Sequence, residues 1–145
     1  MSILYELSLK GLGEAEQYVD VVRQYLNTHT ETKIQKDTNE TGLVIFNNLM
    51  TIYFDKEIMD LDYVKKYYDF DADVVFDFYF FNERYEEGVD VLLQMVAYLE
   101  TLGIEYLFEE DVEVFRKEKG VLSVNPKRYE EGDYLNRETI RRFLK

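Results

Sequence analysis

The residue groupings in this chain that could carry chemistry are each incomplete. The single histidine, His29, lies in the polar stretch Asn27-Thr28-His29-Thr30, and the chain has no cysteine. One imidazole without a thiolate brings only one nitrogen to a metal, so His29 reads as a solvated loop residue. Ser2, Ser8 and Ser123 are the only serines, and none sits in a Gly-x-Ser-x-Gly elbow. A base-activated serine nucleophile is therefore not expected. Gly11-Leu12-Gly13 lacks the third glycine of a dinucleotide loop and the Lys-Ser/Thr of a phosphate loop. It reads as a connection between elements.

Carboxylates are the remaining reactive groups. Asp69-Phe70-Asp71-Ala72-Asp73 alternates acids that could converge on Mg²⁺ or Ca²⁺, yet Val74 stands where an EF-hand turn needs glycine and Phe80 where it needs glutamate. An exposed acidic turn is the simpler reading. No spacing among the 30 acids selects a glycosidase-like pair. Catalysis and a bound cofactor are accordingly not expected, and the acids are better read as a binding surface.

Two acidic stretches offer one. Residues 55–77 hold Asp55, Glu57, Asp60, Asp62, Asp69, Asp71, Asp73 and Asp77, with Tyr63, Tyr67, Tyr68 and Tyr79 interleaved or just beyond. Residues 100–113 hold Glu100, Glu105, Glu109, Glu110, Asp111 and Glu113 and no base. Tyrosine beside carboxylate suits a surface that grips a basic protein, because the ring supplies buried area and the acid supplies steering. The expected contacts are Tyr68, Asp69, Asp71, Asp73, Asp77, Tyr79, Glu109, Glu110 and Asp111. The competing reading puts the tyrosines in the core and the acids on a solvated rim.

The elements that would position these groups follow from periodicity. Ile3, Tyr5, Leu7 and Leu9 alternate as in a half-buried strand, and Tyr18, Val22 and Tyr25 trace a helical stripe within residues 14–27. A weak edge strand fits residues 32–36. Residues 42–46 and 49–54 flank Asn47-Asn48, which predicts a tight hairpin with asparagine at positive φ. Asp60 is placed to cap a short helix over 61–68 with Leu61, Val64 and Tyr68 inward. Residues 73–81 alternate apolar and aromatic side chains on both faces and predict a central strand. Val89, Leu92, Leu93, Val96 and Leu99 predict a helix over 85–102, stopped by Gly103. Residues 112–116 and 121–125 predict a hairpin around Lys117-Glu118-Lys119-Gly120, and residues 137–143 a last helix. Pro126, the only proline, falls outside these elements.

No linker or repeat divides the 145 residues, so one α+β domain is expected, a mostly antiparallel sheet of about five to seven strands with helices packed on it. Thirteen tyrosines and ten phenylalanines can fill its core. The net charge is −13, with 25 acids against 8 bases in residues 1–113 and 5 against 9 in residues 114–145. Such a field repels nucleic acid and anionic membranes and attracts cationic partners. Excess charge serving solubility alone is the alternative. Without cysteine, an apolar span or a basic leader, a cytoplasmic location is expected.

Several segments together resemble the immunity proteins of bacterial polymorphic toxin systems, those paired with swarming-inhibition toxins. They are Tyr5-Glu6-Leu7-Ser8-Leu9, Val75-Phe76-Asp77-Phe78, Tyr85-Glu86-Glu87-Gly88 with the helix that follows, and the closing hairpin from Asp111-Val112-Glu113-Val114-Phe115-Arg116 to Gly120-Val121-Leu122-Ser123-Val124-Asn125. The resemblance implies a cytoplasmic antidote that blocks a cognate toxin domain and does no chemistry itself. Apart from Val75-Phe76-Asp77, residues 55–77 match no part of that pattern, and no toxin-contacting residue carries over by motif. Two other readings stand beside it: a small Mg²⁺- or Ca²⁺-dependent enzyme using Asp69, Asp71 and Asp73, and an assembly subunit that self-associates through Val74 to Phe81.

Overall fold

Alternation in the first strand sets the architecture. In β1 (Leu4–Lys10), Tyr5, Leu7 and Leu9 are buried while Glu6 and Lys10 are half-exposed on the other side. The computed structural model of the protein describes residues 4–36, 42–55, 59–125 and 134–144. After β1 come α1 (Ala15–Asn27), β2 (Lys33–Lys36), β3 (Gly42–Phe46), β4 (Met50–Asp55), α2 (Met59–Tyr68) and β5 (Val74–Phe80). A 3₁₀ turn (Asn82–Arg84) leads to α3 (Tyr85–Thr101), β6 (Glu105–Glu110), β7 (Val112–Glu118), β8 (Val121–Val124) and α4 (Arg137–Phe143). Among the described residues the strands form one antiparallel sheet in the order β2-β3-β4-β5-β1-β6-β7-β8. β1 is thus inserted between β5 and β6, far from it in the chain.

One face of the sheet carries the main core. Leu7 lies opposite both Phe76 and Phe108, Tyr5 opposite Phe78, and Ile52 opposite Phe78 from the other side, so these side chains share that face. Helices α1, α3 and α4 cover it through Tyr18, Val22, Leu26, Val89, Leu92, Val96, Leu99 and Ile140. The opposite face carries a smaller apolar cluster, Val64, Phe70, Val75 and Leu107, beneath α2. Covered on both sides, β5 keeps Val74, Val75, Phe76, Phe78 and Phe80 buried, as its two-faced apolar pattern requires.

The α+β class, the antiparallel sheet and the central position of β5 match the expectation from sequence, with one strand more than expected. β6 was hidden because acids at both ends, Glu105, Glu109 and Glu110, enclose only the short run Tyr106-Leu107-Phe108, which reads as an acidic surface; all three are fully buried. Helix α2 begins at Met59, so Asp60 lies inside its first turn and not at a cap. The β3–β4 connection uses asparagine differently from expectation. The Asn47 Oδ1 accepts hydrogen bonds from the Leu49 and Met50 N–H groups at 2.8 and 3.0 Å, whereas the described non-glycine residues at positive φ are Asp69, Asp111 and Lys119. The β7–β8 link is tighter than a four-residue connection: Lys119 and Gly120, at φ 51° and 80°, form the two-residue turn that matches strand twist. Pro126 lies outside the described residues. Among the described residues no helix is long and apolar enough to cross a membrane.

Gly88 fixes how closely α3 approaches the sheet. A Cβ there would stand 2.7 Å from the Phe80 ring, which is itself held between the rings of Tyr5, Phe78 and Tyr85. Overpacking of this kind costs about 1–3 kcal/mol, more than the roughly 1 kcal/mol that alanine gains over glycine inside a helix. Gly88→Ala is expected to lower stability by about 1 kcal/mol in denaturant unfolding; a stabilised variant would show that α3 is free to shift.

Burial raises the Tyr106 phenol above its ordinary pKa of 10.0, and burial, followed by the hydrogen bond to Asp73, does the same for Tyr18. A group raised in the folded state contributes stability that is complete below the unfolded pKa and lost as pH climbs through the folded one. In alkaline titration part of the tyrosinate absorbance should therefore appear only together with loss of the circular dichroism signal. Full ionisation of the tyrosines with the fold intact would contradict this.

Candidate functional site

Strand register assembles a line of side chains that sequence order scatters. On the face carrying α2, Tyr53 of β4 lies opposite Asp77 of β5, Asp77 opposite Glu6 of β1, Glu6 opposite Glu109 of β6, and Glu109 opposite Glu113 of β7. Directly opposed residues on neighbouring strands place their Cβ atoms about 5 Å apart, so the carboxylates form a lateral row across the middle of the sheet. Like charges so placed destabilise a sheet by about 0.2–1 kcal/mol per pair. Glu109 is only 4% exposed, and Asp77 and Glu6 are half-buried.

Two described cations, Arg116 and Lys10, lie at the β6–β7 end of the row. Arg116 donates to Glu113 at 2.7 and 2.9 Å, to Glu118 at 2.7 Å and to the Tyr68 carbonyl at 2.7 Å, which ties the end of α2 to the sheet. Lys10 pairs with Glu105 and Glu118 at 3.6 and 3.4 Å and lies over the Phe70 ring. These contacts neutralise the β6–β7 side.

Tyrosines flank the row. The Tyr68 hydroxyl is hydrogen-bonded to Glu109 and lies 3.4 Å from the Asp111 carbonyl. Burial, then the Glu109 hydrogen bond and charge, push its pKa above the usual tyrosine value, with Tyr63 and Glu6 adding to the shift. Tyr63 and Tyr67, 47% and 61% exposed, pack ring to ring on α2. At the far end, Tyr53 and Tyr79 meet edge to face with centroids 5.6 Å apart, and Tyr53 is 40% exposed. Burial raises the Tyr79 phenol first, followed by Asp77, Tyr53 and Glu6, which places those four groups within electrostatic reach of one another.

Of the residues expected to form a contact surface, Tyr68, Asp77, Tyr79 and Glu109 come together here, and Asp111 forms the adjoining β6–β7 turn at φ 62°. Glu110 ends β6, half-buried. Asp69, Asp71 and Asp73 lie beyond the end of α2 and point to different tasks. Asp69 and Asp71 both pair with Lys65, at 3.0 and 3.2 Å, and the Lys65 hydrogen bond holds Asp69 below the usual carboxylate range. Asp73 Oδ2 accepts from the Gly11 N–H at 2.9 Å, the Gly13 N–H at 3.1 Å and the Tyr18 hydroxyl at 2.5 Å, clasping the β1–α1 turn. Gly11 adopts φ 133°, and a Cβ there would meet the Gly103 carbonyl at 3.0 Å, so the clasp needs this glycine. Among the described residues no group of His, Cys, Asp or Glu is arranged to hold a metal ion.

Glu6 and Tyr53 escaped the sequence reading. The alternation of β1 does point Glu6 away from Tyr5 and Leu7, but its meeting with Asp77 and Glu109 requires the strand order. Two shallow depressions, of about 430 and 460 Å³, open at the start of α3 among Asn48, Phe81, Asn82, Glu83, Arg84, Tyr85, Glu86 and Glu87. Neither is lined by a member of the row.

The clasp should respond strongly to loss of charge. Asp73→Ala removes a charged acceptor with three donors and should cost on the order of 2 kcal/mol. Thermal melts check it; an unchanged melting temperature would show that the β1–α1 turn holds without the clasp.

No protein-family model, curated protein or solved structure matches this chain, so its functional reading rests on the row and its surroundings.

Proposed function

We propose that this protein binds and occludes a basic partner protein, and that it is an immunity protein neutralising a cognate toxin domain in the bacterial cytoplasm. The observation that carries the binding reading is the carboxylate row of Asp77, Glu6 and Glu109 set between exposed tyrosines. Charge that serves solubility alone belongs on fully exposed positions, where it costs least. Here acids from three neighbouring strands are held side by side and partly out of water, and a cationic surface complements them.

Electrostatics and aromatics divide the work. The acidic field speeds encounter with a basic surface and competes with any nucleic acid for it, while tyrosine rings supply contact area at little entropic cost. Occlusion needs no reactive group, which accords with the incomplete catalytic groupings of the sequence. The resemblance of several segments to immunity proteins of polymorphic toxin systems supports the biological assignment.

The test is protection and binding. Co-expression with a basic toxin domain encoded beside this gene is expected to restore growth, and loss of protection in Asp77→Lys with Glu6→Lys would tie it to the row. In surface-binding kinetics that double reversal should lower the association rate and flatten its salt dependence. Tyr63→Ala should instead raise the dissociation rate, by about thirtyfold if Tyr63 is a hot spot worth roughly 2 kcal/mol. Unchanged rates in correctly folded variants would move the interface off this face.

A further inference from the structure

The two edges of the sheet are guarded unequally. A strand edge presents N–H and C=O groups to any extended chain, and proteins blunt such edges with lysine, proline or irregularity. At β2 the edge carries Lys33 and Lys36, both exposed. At β8 it is Val121-Leu122-Ser123-Val124, without charge or proline, and Val121 is 64% exposed. The Leu122 and Val124 side chains pack against the main core, which holds the strand in place.

Register shows which backbone groups β8 offers. Asn125 donates its N–H to the Val114 carbonyl at 2.9 Å, so alternation makes Arg116 with Ser123, and Glu118 with Val121, hydrogen-bonded pairs. Leu122 and Val124 fall between them and turn their N–H and C=O groups away from β7. No described residue bonds to those groups. Donors and acceptors at that spacing fit an antiparallel strand. Charge selects which strand. A basic partner is drawn to residues 1–113, whereas residues 114–145 hold 5 acids against 9 bases. A second copy of β8, turned about a twofold axis at Ser123, sets no charged side chain opposite another along the strand. It also carries the exposed Lys119 turn of each copy toward the start of β7 in the other, beside Asp111 and Glu113.

We propose that two copies of this chain pair antiparallel through β8, with Leu122 bonded to Val124 of the second copy and Ser123 facing its own counterpart, so that one sheet runs through both. The β8 edge lies outside the carboxylate row, and failure of either reading leaves the other standing.

Sedimentation equilibrium of the intact chain is expected to show monomer and dimer in exchange. Ser123→Lys, at an exposed position, sets two ammonium groups against each other and should weaken dimerisation at least about tenfold with the circular dichroism unchanged. Oxidation tests the register. The chain has no cysteine, so Ser123→Cys supplies a single thiol. Its counterpart in a directly opposed pair lies about 4.5 Å away between Cα atoms, within disulfide reach. Val121 stands opposite Asn125 of the second copy, about 14 Å along the strand from its own counterpart, so Val121→Cys should cross-link far more slowly. A chain still monomeric at about 1 mM, a dimer unaffected by Ser123→Lys, or equal cross-linking of the two cysteine variants overturns the pairing.

Discussion

The pairing of β1 between β5 and β6 is the constraint on which the rest depends. Its alternation sends Tyr5, Leu7 and Leu9 under α1, α3 and α4 and turns Glu6, Ser8 and Lys10 to the other face. A slip of one residue would exchange these sets, driving Glu6 into an aromatic core beside Phe78 and Phe108. Such an error is so costly that the register is fixed by burial, and the register in turn fixes which acids meet. The carboxylate row is thus a by-product of core formation in position, though not in residue type. Gln or Thr at positions 6 and 77 would serve the same strands without the repulsion.

Second in the hierarchy are the contacts that place α2. Arg116 holds the Tyr68 carbonyl, and the apolar cluster of Val64, Phe70, Val75 and Leu107 seats the helix over only part of its face. Asp73 then closes the chain's return to the sheet by binding the Gly11–Gly13 turn, while its own N–H donates to the Leu9 carbonyl. These polar contacts join segments about sixty residues apart in sequence and leave Tyr53 and Tyr79 uncovered by α2's apolar cluster. An acid that sequence assigns to a contact surface can thus be an internal acceptor.

Local signals carried most of the elements. The stripes of α1 and α3 and the two-faced pattern of β5 are long and regular, so their periods are unambiguous, and α4 is capped by Asn136, whose Oδ1 accepts from the Thr139 N–H. What stayed illegible is pairing. β6 has too few apolar residues between its acids to announce a strand, and it becomes one because Tyr106 and Phe108 complete a face begun by Leu9 and Leu7. The same dependence explains the site. Tyr68, Asp77, Tyr79 and Glu109 can be named from composition, but Glu6 and Tyr53 gain meaning only when β1 is known to lie beside β5 and β5 beside β4. Asp69 and Asp71 are equally conspicuous in sequence, yet they meet Lys65 one turn back on α2, a pairing that local spacing alone allows but does not require.

Net charge is a poor guide to such a surface, because a value of −13 does not say where opposing charges have already cancelled. At the β7 end of the row Arg116 and Lys10 pair with Glu113, Glu118 and Glu105 and offset most of their charge. Toward β5 and β4, Tyr53 and Tyr79 flank Asp77, and their rings exclude water from it. Lower water content means less screening, so each carboxylate there exerts a stronger field than one on an exposed loop. On the proposed reading of this face, that field is what draws a cationic partner. Recognition on that reading is concentrated where carboxylates are partly desolvated, and not where acids are most numerous.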